Sequence, residues 1–191
     1  MNRFHHWRCR SNGWKHRLEH EILPWSLEGV DLGGEVLELG PGPGLTTDLL
    51  RGQCPHLTCL ELDSSLAQSL RQRLGNGNVT VQLGDATAMP FRDETFSAVV
   101  SFTMLHHVPS PELQDQLFAE ARRVLRPGGI FVGSDSSWSV RMWLYHLADT
   151  LVPLDPKRLP ERLRVAGFVD VNVEPVGGRF RFQARRPVAI A

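Results

Sequence analysis

The stretch Val36-Leu37-Glu38-Leu39-Gly40-Pro41-Gly42-Pro43-Gly44-Leu45-Thr46-Thr47 decides how the rest of the chain is read. Glu35–Leu39 reads as a strand, glycines follow at three alternate positions, and Leu45–Arg51 opens a helix. Glycine at such a join permits positive φ and lets a ligand approach backbone that a Cβ would shield. The helix N-terminus beyond it presents free N–H groups and the positive end of its dipole, to which Thr46 and Thr47 could add hydroxyls. A glycine-rich turn can also be a tight connection that binds nothing. The dinucleotide fingerprint GxGxxG needs glycine at position 45, where this chain has Leu45. The spacing here is GxGxG with Glu38 two places before Gly40, which points away from a pyrophosphate ligand and a nicotinamide oxidoreductase.

Outward from the loop, short β-branched runs alternate with longer helical stretches, the pattern of a mainly parallel sheet flanked by helices. Strands are predicted at Leu57–Glu61, Val79–Leu83, Phe96–Phe102 and Ile130–Ser134, with helices at Ser64–Leu74 and Pro111–Leu125. Phe96–Phe102 is the most apolar run and suits a central strand buried on both faces. A helix at Trp14–Glu28 precedes the first strand, with Leu18, Ile22, Leu23 and Trp25 roughly on one face. After a short helix at Pro160–Ala166, Phe168–Glu174 and Arg179–Arg185 are joined by Gly177-Gly178 as an antiparallel hairpin. The expected fold is α/β and doubly wound, a Rossmann-like, mainly parallel seven-stranded sheet ending in a C-terminal β-hairpin. One domain is expected over residues 1–191. Within it, 1–30 form an arm and helix that could act as a lid, 34–135 the ligand-binding core, and 136–191 the acceptor-side helix and hairpin.

Composition narrows the function classes. The chain has 191 residues, 41% hydrophobic and 22% charged, enough for a sizeable core without metal or disulfide. Its 21 basic and 21 acidic residues cancel, so no bulk field draws it to nucleic acid, and no nucleic-acid partner is expected. Cys9, Cys54 and Cys59 lack CxxC spacing, no segment is apolar enough to span a bilayer, and Met1–Arg10 does not read as a signal peptide. A reducing cytoplasm is the expected location, and the oligomeric state is left open. No metal site is expected, since the eight histidines include His5-His6 and His106-His107 but no mixed Cys/His set.

The loop resembles the first motif, E/DxGxGxG, of the class I S-adenosylmethionine-dependent methyltransferases, and the resemblance continues in register. Glu61 ends the second strand 21 residues after Gly40, where a carboxylate can accept ribose hydroxyl hydrogen bonds. Asp63 is the competing carboxylate, placed where the next helix needs a cap. Gly84-Asp85-Ala86 follows the third strand, and the resemblance implies that Asp85 and the Ala86 N–H receive adenine. Phe96–Ser101 and Leu125-Arg126-Pro127-Gly128-Gly129 resemble the approaches to the family's fourth and fifth strands. The likeness covers roughly residues 34–135. Met104-Leu105-His106-His107-Val108 is similar to a segment of the group that includes the ubiquinone and menaquinone C-methylases (methyltransferase type 11). The resemblance implies S-adenosyl-L-methionine as cofactor, S-adenosyl-L-homocysteine as product, and Glu38, Gly40, Gly42, Gly44, Glu61, Leu62, Asp85, Ala86 and Ser101 as cofactor-binding residues.

The implied reaction is methyl transfer to an unidentified small-molecule acceptor by in-line displacement. A non-catalytic S-adenosylmethionine-binding partner or sensor is the alternative. The reaction site of an open α/β sheet lies beyond the carboxyl ends of its strands. Candidate catalytic groups are therefore His106 and His107 after the fourth strand and Asp135 after the fifth. Either histidine could instead pack against the sheet end, and Asp135 could cap a helix. Trp138–Leu151, with Trp138, Trp143, Tyr145 and His146, reads as an aromatic wall over the pocket or as an ordinary amphipathic helix. The chain lacks the Asn/Asp-Pro-Pro-Tyr of enzymes that methylate amino groups of bases or glutamine, and the Pro-Cys of cytosine C5 methylases. Phe4, His5, His6, Trp7, Arg8 and Arg10 make an aromatic, basic arm that could close over the site or fray.

Overall fold

Alternation along the first strand sorts the chain into layers. In β1 (Glu35–Leu39), Leu37 and Leu39 enter one apolar cluster, and Val36 enters another on the opposite face. The computed structural model describes residues 11–74, 77–146 and 149–188. Around β1 lie β2 (His56–Glu61), β3 (Val79–Leu83), β4 (Phe96–Phe102), β5 (Leu125–Ser136), β6 (Val169–Val176) and β7 (Arg179–Arg185). They form one sheet in the order β3-β2-β1-β4-β5-β7-β6. The first five strands are parallel, and β7 is antiparallel to both β5 and β6. The expected doubly wound sheet with a terminal hairpin is what the chain adopts.

Helices cover both faces. The amino-terminal helices, α3 (Leu45–Leu50) and α4 (Ser64–Leu74) bury Leu18, Ile22, Leu50, Leu70 and Leu74 on the Val36 side. On the other side, α5 (Pro111–Val124) and α7 (Leu159–Val165) bury Leu117, Phe118, Ala121 and Leu163 against Phe131, Phe180 and Phe182. Ser110 caps α5 by accepting from the Leu113 N–H at 3.2 Å, and Pro111 occupies its first turn, where no N–H is missed.

Three local details differ from the sequence reading. The first helix is not uniform: α1 (Asn12–Arg17) passes through a π-helical turn at Leu18–Ile22 into α2 (Leu23–Ser26). Pro24 has no N–H to give to the preceding turn, and a π bulge just before it accommodates the break, with Leu23 N–H reaching back to the Leu18 carbonyl. β5 begins at Leu125 rather than Ile130, because Leu125 pairs with Phe96 before a register irregularity near Ala98. Arg126-Pro127-Gly128-Gly129 is thus an irregular extension of a strand instead of a full break. Among the described residues of Trp138–Leu151 only α6 (Val140–Tyr145) is helical, and Trp138 and Trp143 are 63% and 52% exposed. These two rings build no wall over the pocket.

Two contacts place the strand ends. β4 and β5 run so close that a Cβ on Gly133 would lie 1.9 Å from the Ser101 carbonyl oxygen. Beneath the glycine loop, the buried Glu38 carboxylate accepts from the Thr46 hydroxyl, from Thr47 Oγ1 at 2.6 Å and from Cys59 Sγ at 3.4 Å. Burial pushes the Glu38 pKa above its ordinary value, and those three hydrogen bonds oppose the shift.

Gly133→Ala is expected to destabilise the fold by roughly 3 kcal/mol, since backbone rather than a mobile side chain must yield; urea unfolding checks it. The native state also holds the Glu38 proton after the unfolded chain has released it, so this group's contribution falls as pH rises from about 4.5 toward the native value. Urea unfolding from weakly acid to neutral pH should therefore lose stability in the wild type relative to Glu38→Gln, which cannot ionise. Parallel curves for the two proteins would contradict the assignment.

Candidate active site

The loop that follows β1 is shaped by three glycines with φ of 60°, 56° and 82° at positions 40, 42 and 44. At Gly40 and Gly44 a Cβ would collide with Met104 and with Leu70 and Arg73, so the neighbours close in on the loop there. At Gly42 nothing lies within 4 Å of where a Cβ would be, so this backbone faces open space. Gly44 is the N-cap of α3 and has no side chain to satisfy the helix N–H groups. Glu38, expected from the sequence to be a ligand contact, lies beneath this loop with its two carboxylate oxygens on Thr46 and Thr47.

Glu61 stands at the carboxyl end of β2, almost fully buried. Its Oε2 accepts from the Gly42 N–H and its Oε1 from the Asp63 N–H, each at 2.9 Å. Two backbone donors thus fix the carboxylate beside the loop, and it retains lone pairs for further donors. Asp63 instead caps α4, accepting from Ser65 N, Ser65 Oγ and Leu66 N, and the Ser65 bond leads in holding its pKa below the ordinary value. Leu62 is 70% exposed. Asp85 is exposed at the end of β3, where its Oδ1 accepts from Thr87 N and Oγ1, and Ala86 packs half-buried against the core. Glu61, Leu62, Asp85 and Ala86 therefore gather on one side of the loop. Ser101 is fully buried in β4 beside Gly133, one residue short of the stretch that reaches the cavity.

On the other side of the loop lies a cavity of about 440 Å³. Gly40–Pro43 form one edge, Trp14, Arg17 and Leu18 a second, and Phe102 and Thr103 the floor after β4. Ser136, Ser137, Met142, His146 and the hairpin turn Gly177–Arg179 line it as well. The Arg179 guanidinium lies 5.8 Å from the centroid of the Trp14 ring, so the amino-terminal helix and the last hairpin meet at the rim. Thr103 has φ of 53°, a strained value for a β-branched residue, and its N–H donates to the Ser134 carbonyl at 2.8 Å.

His106 and His107 also line the cavity and occupy a 3-10 turn, Leu105–His107. The buried Gln114 of α5 holds this turn by donating to the Leu105 carbonyl at 3.2 Å and the Val152 carbonyl at 2.8 Å. His106 Nδ1 lies 2.5 Å from Asp135 Oδ1, and the His106 N–H donates to Asp135 Oδ2 at 3.2 Å. Both side chains are buried, and the Ser136 N–H also donates to Asp135 Oδ1. The three catalytic candidates thus come together at the sheet's carboxyl edge, with Asp135 bonded to His106 and His107 beside them. His146 joins them: ring centroids lie 4.2 Å apart for His106–His107, 5.0 Å for His106–His146 and 5.1 Å for His107–His146. Burial leads in lowering the His146 pKa, which favours the neutral imidazole. Residues 1–10, and with them the expected arm, lie outside the described residues.

Sequence reasoning missed the cavity roles of Trp14, Arg17, Thr103, Met142 and the hairpin turn. Nothing in their local pattern signals a site. His146 appeared in the sequence only as a member of an aromatic stretch, 39 residues beyond His107.

A family model described as a methyltransferase domain matches residues 37–133, from within β1 to Gly133. A protein of Mycolicibacterium smegmatis named "Probable S-adenosylmethionine-dependent methyltransferase" is 31% identical over 168 residues, covering 84% of this chain and 61% of its own length. The 2-methyl-6-phytyl-1,4-hydroquinone methyltransferase 2 of rice is 29% identical over 174 residues, covering 84% of this chain and 47% of its own length. The chain thus spans about half to three-fifths of these curated relatives. Among solved structures, a protein of Pyrococcus horikoshii superposes with a TM-score of 0.78 at 20% identity, covering 94% of each chain. Phosphoethanolamine N-methyltransferase 2 of Haemonchus contortus, solved with S-adenosyl-L-methionine, gives 0.77 at 17% identity, covering 96% of this chain and 56% of its own. At these identities the structures speak for the fold. With the motifs in register and the model matching just over half of its length, the chain belongs to the methyltransferase domain family.

Proposed function

We propose that the protein is an S-adenosyl-L-methionine-dependent methyltransferase acting on a small-molecule acceptor. The observation that carries this reading is the arrangement around the glycine loop. A fixed carboxylate and the Asp85-Ala86 turn lie on one side, and a cavity lined by histidines lies on the other. The open space over Gly42 and the remaining lone pairs of Glu61 suit a ligand laid across the loop, with its ribose toward Glu61 and its adenine toward Leu62, Asp85 and Ala86. When bound, S-adenosyl-L-methionine supplies an activated methyl group, so the hard chemistry arrives ready-made.

The chain's own residues have three tasks. The loop and strand ends must align acceptor and methyl group with the reacting atoms about 3 to 3.5 Å apart. Trp14, Leu18, Phe102 and Met142 must keep water from the acceptor end. An acceptor that loses a proton needs a base, and His106 is the candidate. Asp135 holds its Nδ1–H, which fixes the tautomer that turns the Nε2 lone pair away from the carboxylate. The cavity suits a small acceptor rather than a polymer, and the balance of charges gives no support to a nucleic-acid partner. The rice relative's name speaks of a phytyl hydroquinone, which fits an apolar ring as acceptor class. Cys54 and Cys59 are free thiols, in keeping with a reducing cytoplasm. No described helix is long and apolar enough to cross a membrane.

Calorimetry is expected to show one S-adenosyl-L-methionine and one S-adenosyl-L-homocysteine site and no binding of reduced nicotinamide cofactor. Glu61→Gln should weaken the first two by roughly tenfold or more. Release of S-adenosyl-L-homocysteine in the presence of hydroquinone and other ring acceptors distinguishes an enzyme from a sensor. His106→Ala should lower turnover by about 100- to 10,000-fold while cofactor affinity stays near that of the wild type. Deleting residues 1–13 should weaken cofactor binding, because the deletion ends next to Trp14, which lines the cavity; unchanged affinity would remove the arm from the site.

A further inference from the structure

Three imidazoles in one buried corner need a physical account. Each has its Nδ1 against an oxygen that can only accept. For His106 this is the Asp135 carboxylate at 2.5 Å, for His146 the Met142 carbonyl at 2.7 Å, and for His107 the Thr150 carbonyl at 3.3 Å. Each Nδ1 therefore carries the proton, and each Nε2 is the nitrogen with a lone pair to give. One ligand nitrogen from each ring lies within 4.8 Å of the other two.

We propose that His106, His107 and His146 bind a divalent transition-metal ion of the zinc class, with Asp135 and the Met142 and Thr150 carbonyls as the outer oxygens that orient the rings. The donor set has the composition of catalytic zinc sites, three protein ligands with one position left open. Histidine ligands held through Nδ1–H by a carboxylate or a carbonyl are the usual outer arrangement of such sites. The nitrogens of a tetrahedral zinc centre are roughly 3.3 Å apart, so binding draws the rings together by about 1.5 Å at most.

The open position faces the cavity, because all three ligands line it. It suits an oxygen donor such as a phenol or enol, whose proton a coordinated cation makes easier to lose. With the ion bound, His106 Nε2 is a ligand rather than a base: the acceptor binds as its oxyanion, its proton released to bulk solvent on binding, and the cation holds the negative charge. The part of the inference that concerns the acceptor rests on the proposed methyl transfer, whereas the metal site does not.

The test uses untagged, full-length protein and reads metal without cofactor or acceptor. Zn²⁺ calorimetry and Co²⁺ titration should give one equivalent bound, with the visible d–d absorption of a tetrahedral cobalt site. His107→Ala, a half-buried position whose loss the fold should survive, and His146→Ala should each abolish the absorption. Asp135→Asn should weaken binding by about 10- to 100-fold. The control His5→Ala/His6→Ala should bind as the wild type does. No stoichiometric binding overturns the proposal, as does binding that survives in His107→Ala or is lost in the control. Separate S-adenosyl-L-methionine calorimetry tests the cofactor reading, so either proposal can fail without the other.

Discussion

A carboxylate in an apolar layer is costly to bury unless donors surround it, and the ligand side of this protein is built on one such carboxylate. Glu38 sits where β1 gives way to the glycine loop, and its oxygens take hydroxyls from Thr46 and Thr47 in the first turn of α3. The bonds pull the start of the helix down onto the end of the strand. That leaves the intervening residues too little room for ordinary φ values, and glycines occupy the three positions that turn left-handed. Gly42 can then present its N–H to Glu61 on the next strand, so one buried acid determines where a second can stand. Cys59 of β2 donates to the same carboxylate and ties the neighbouring strand into the set.

The other half of the site depends on close approach rather than on charge. β4 and β5 come together at Ser101 and Gly133, where a side chain on residue 133 would force them apart. This brings the ends of the two strands side by side and lets Asp135 hold both the backbone and the ring of His106. Gln114, reaching from α5, fixes the turn from below. The hairpin adds the last edge, because β7 inserts beside β5 and carries its Gly177–Arg179 turn to the rim opposite Trp14. The two sides of the site thus share one loop, whose residues 40–43 bound the cavity while its Gly42 N–H and the Asp63 N–H hold Glu61 in place.

Much of this was legible in the sequence where the signal is local. The strand-loop-helix of residues 35–50, the cap made by Asp63, the proline in the first turn of α5 and the hairpin at Gly177-Gly178 all follow from short-range chemistry. The π turn at Leu18–Ile22 was not, although Pro24 is its cause, because the hydrophobic positions of the two helix types nearly coincide over one turn. The early start of β5 was hidden as well. Pro127-Gly128-Gly129 carries the composition of a turn, and only pairing of Leu125 with Phe96 draws it into the sheet.

By itself, the sequence determined the doubly wound architecture and the strand–glycine loop–helix at its centre, because glycine spacing, acid positions and β-branched runs act through nearest neighbours in the chain. Only the tertiary structure decided which polar groups share a cavity. His106, Asp135 and His146 are each ambiguous alone, and strand order and the path of α6 put them within a few ångströms of one another. The physical reason is that a binding site is a set of side chains on different elements. Its geometry is fixed by packing across the sheet, which local sequence does not record.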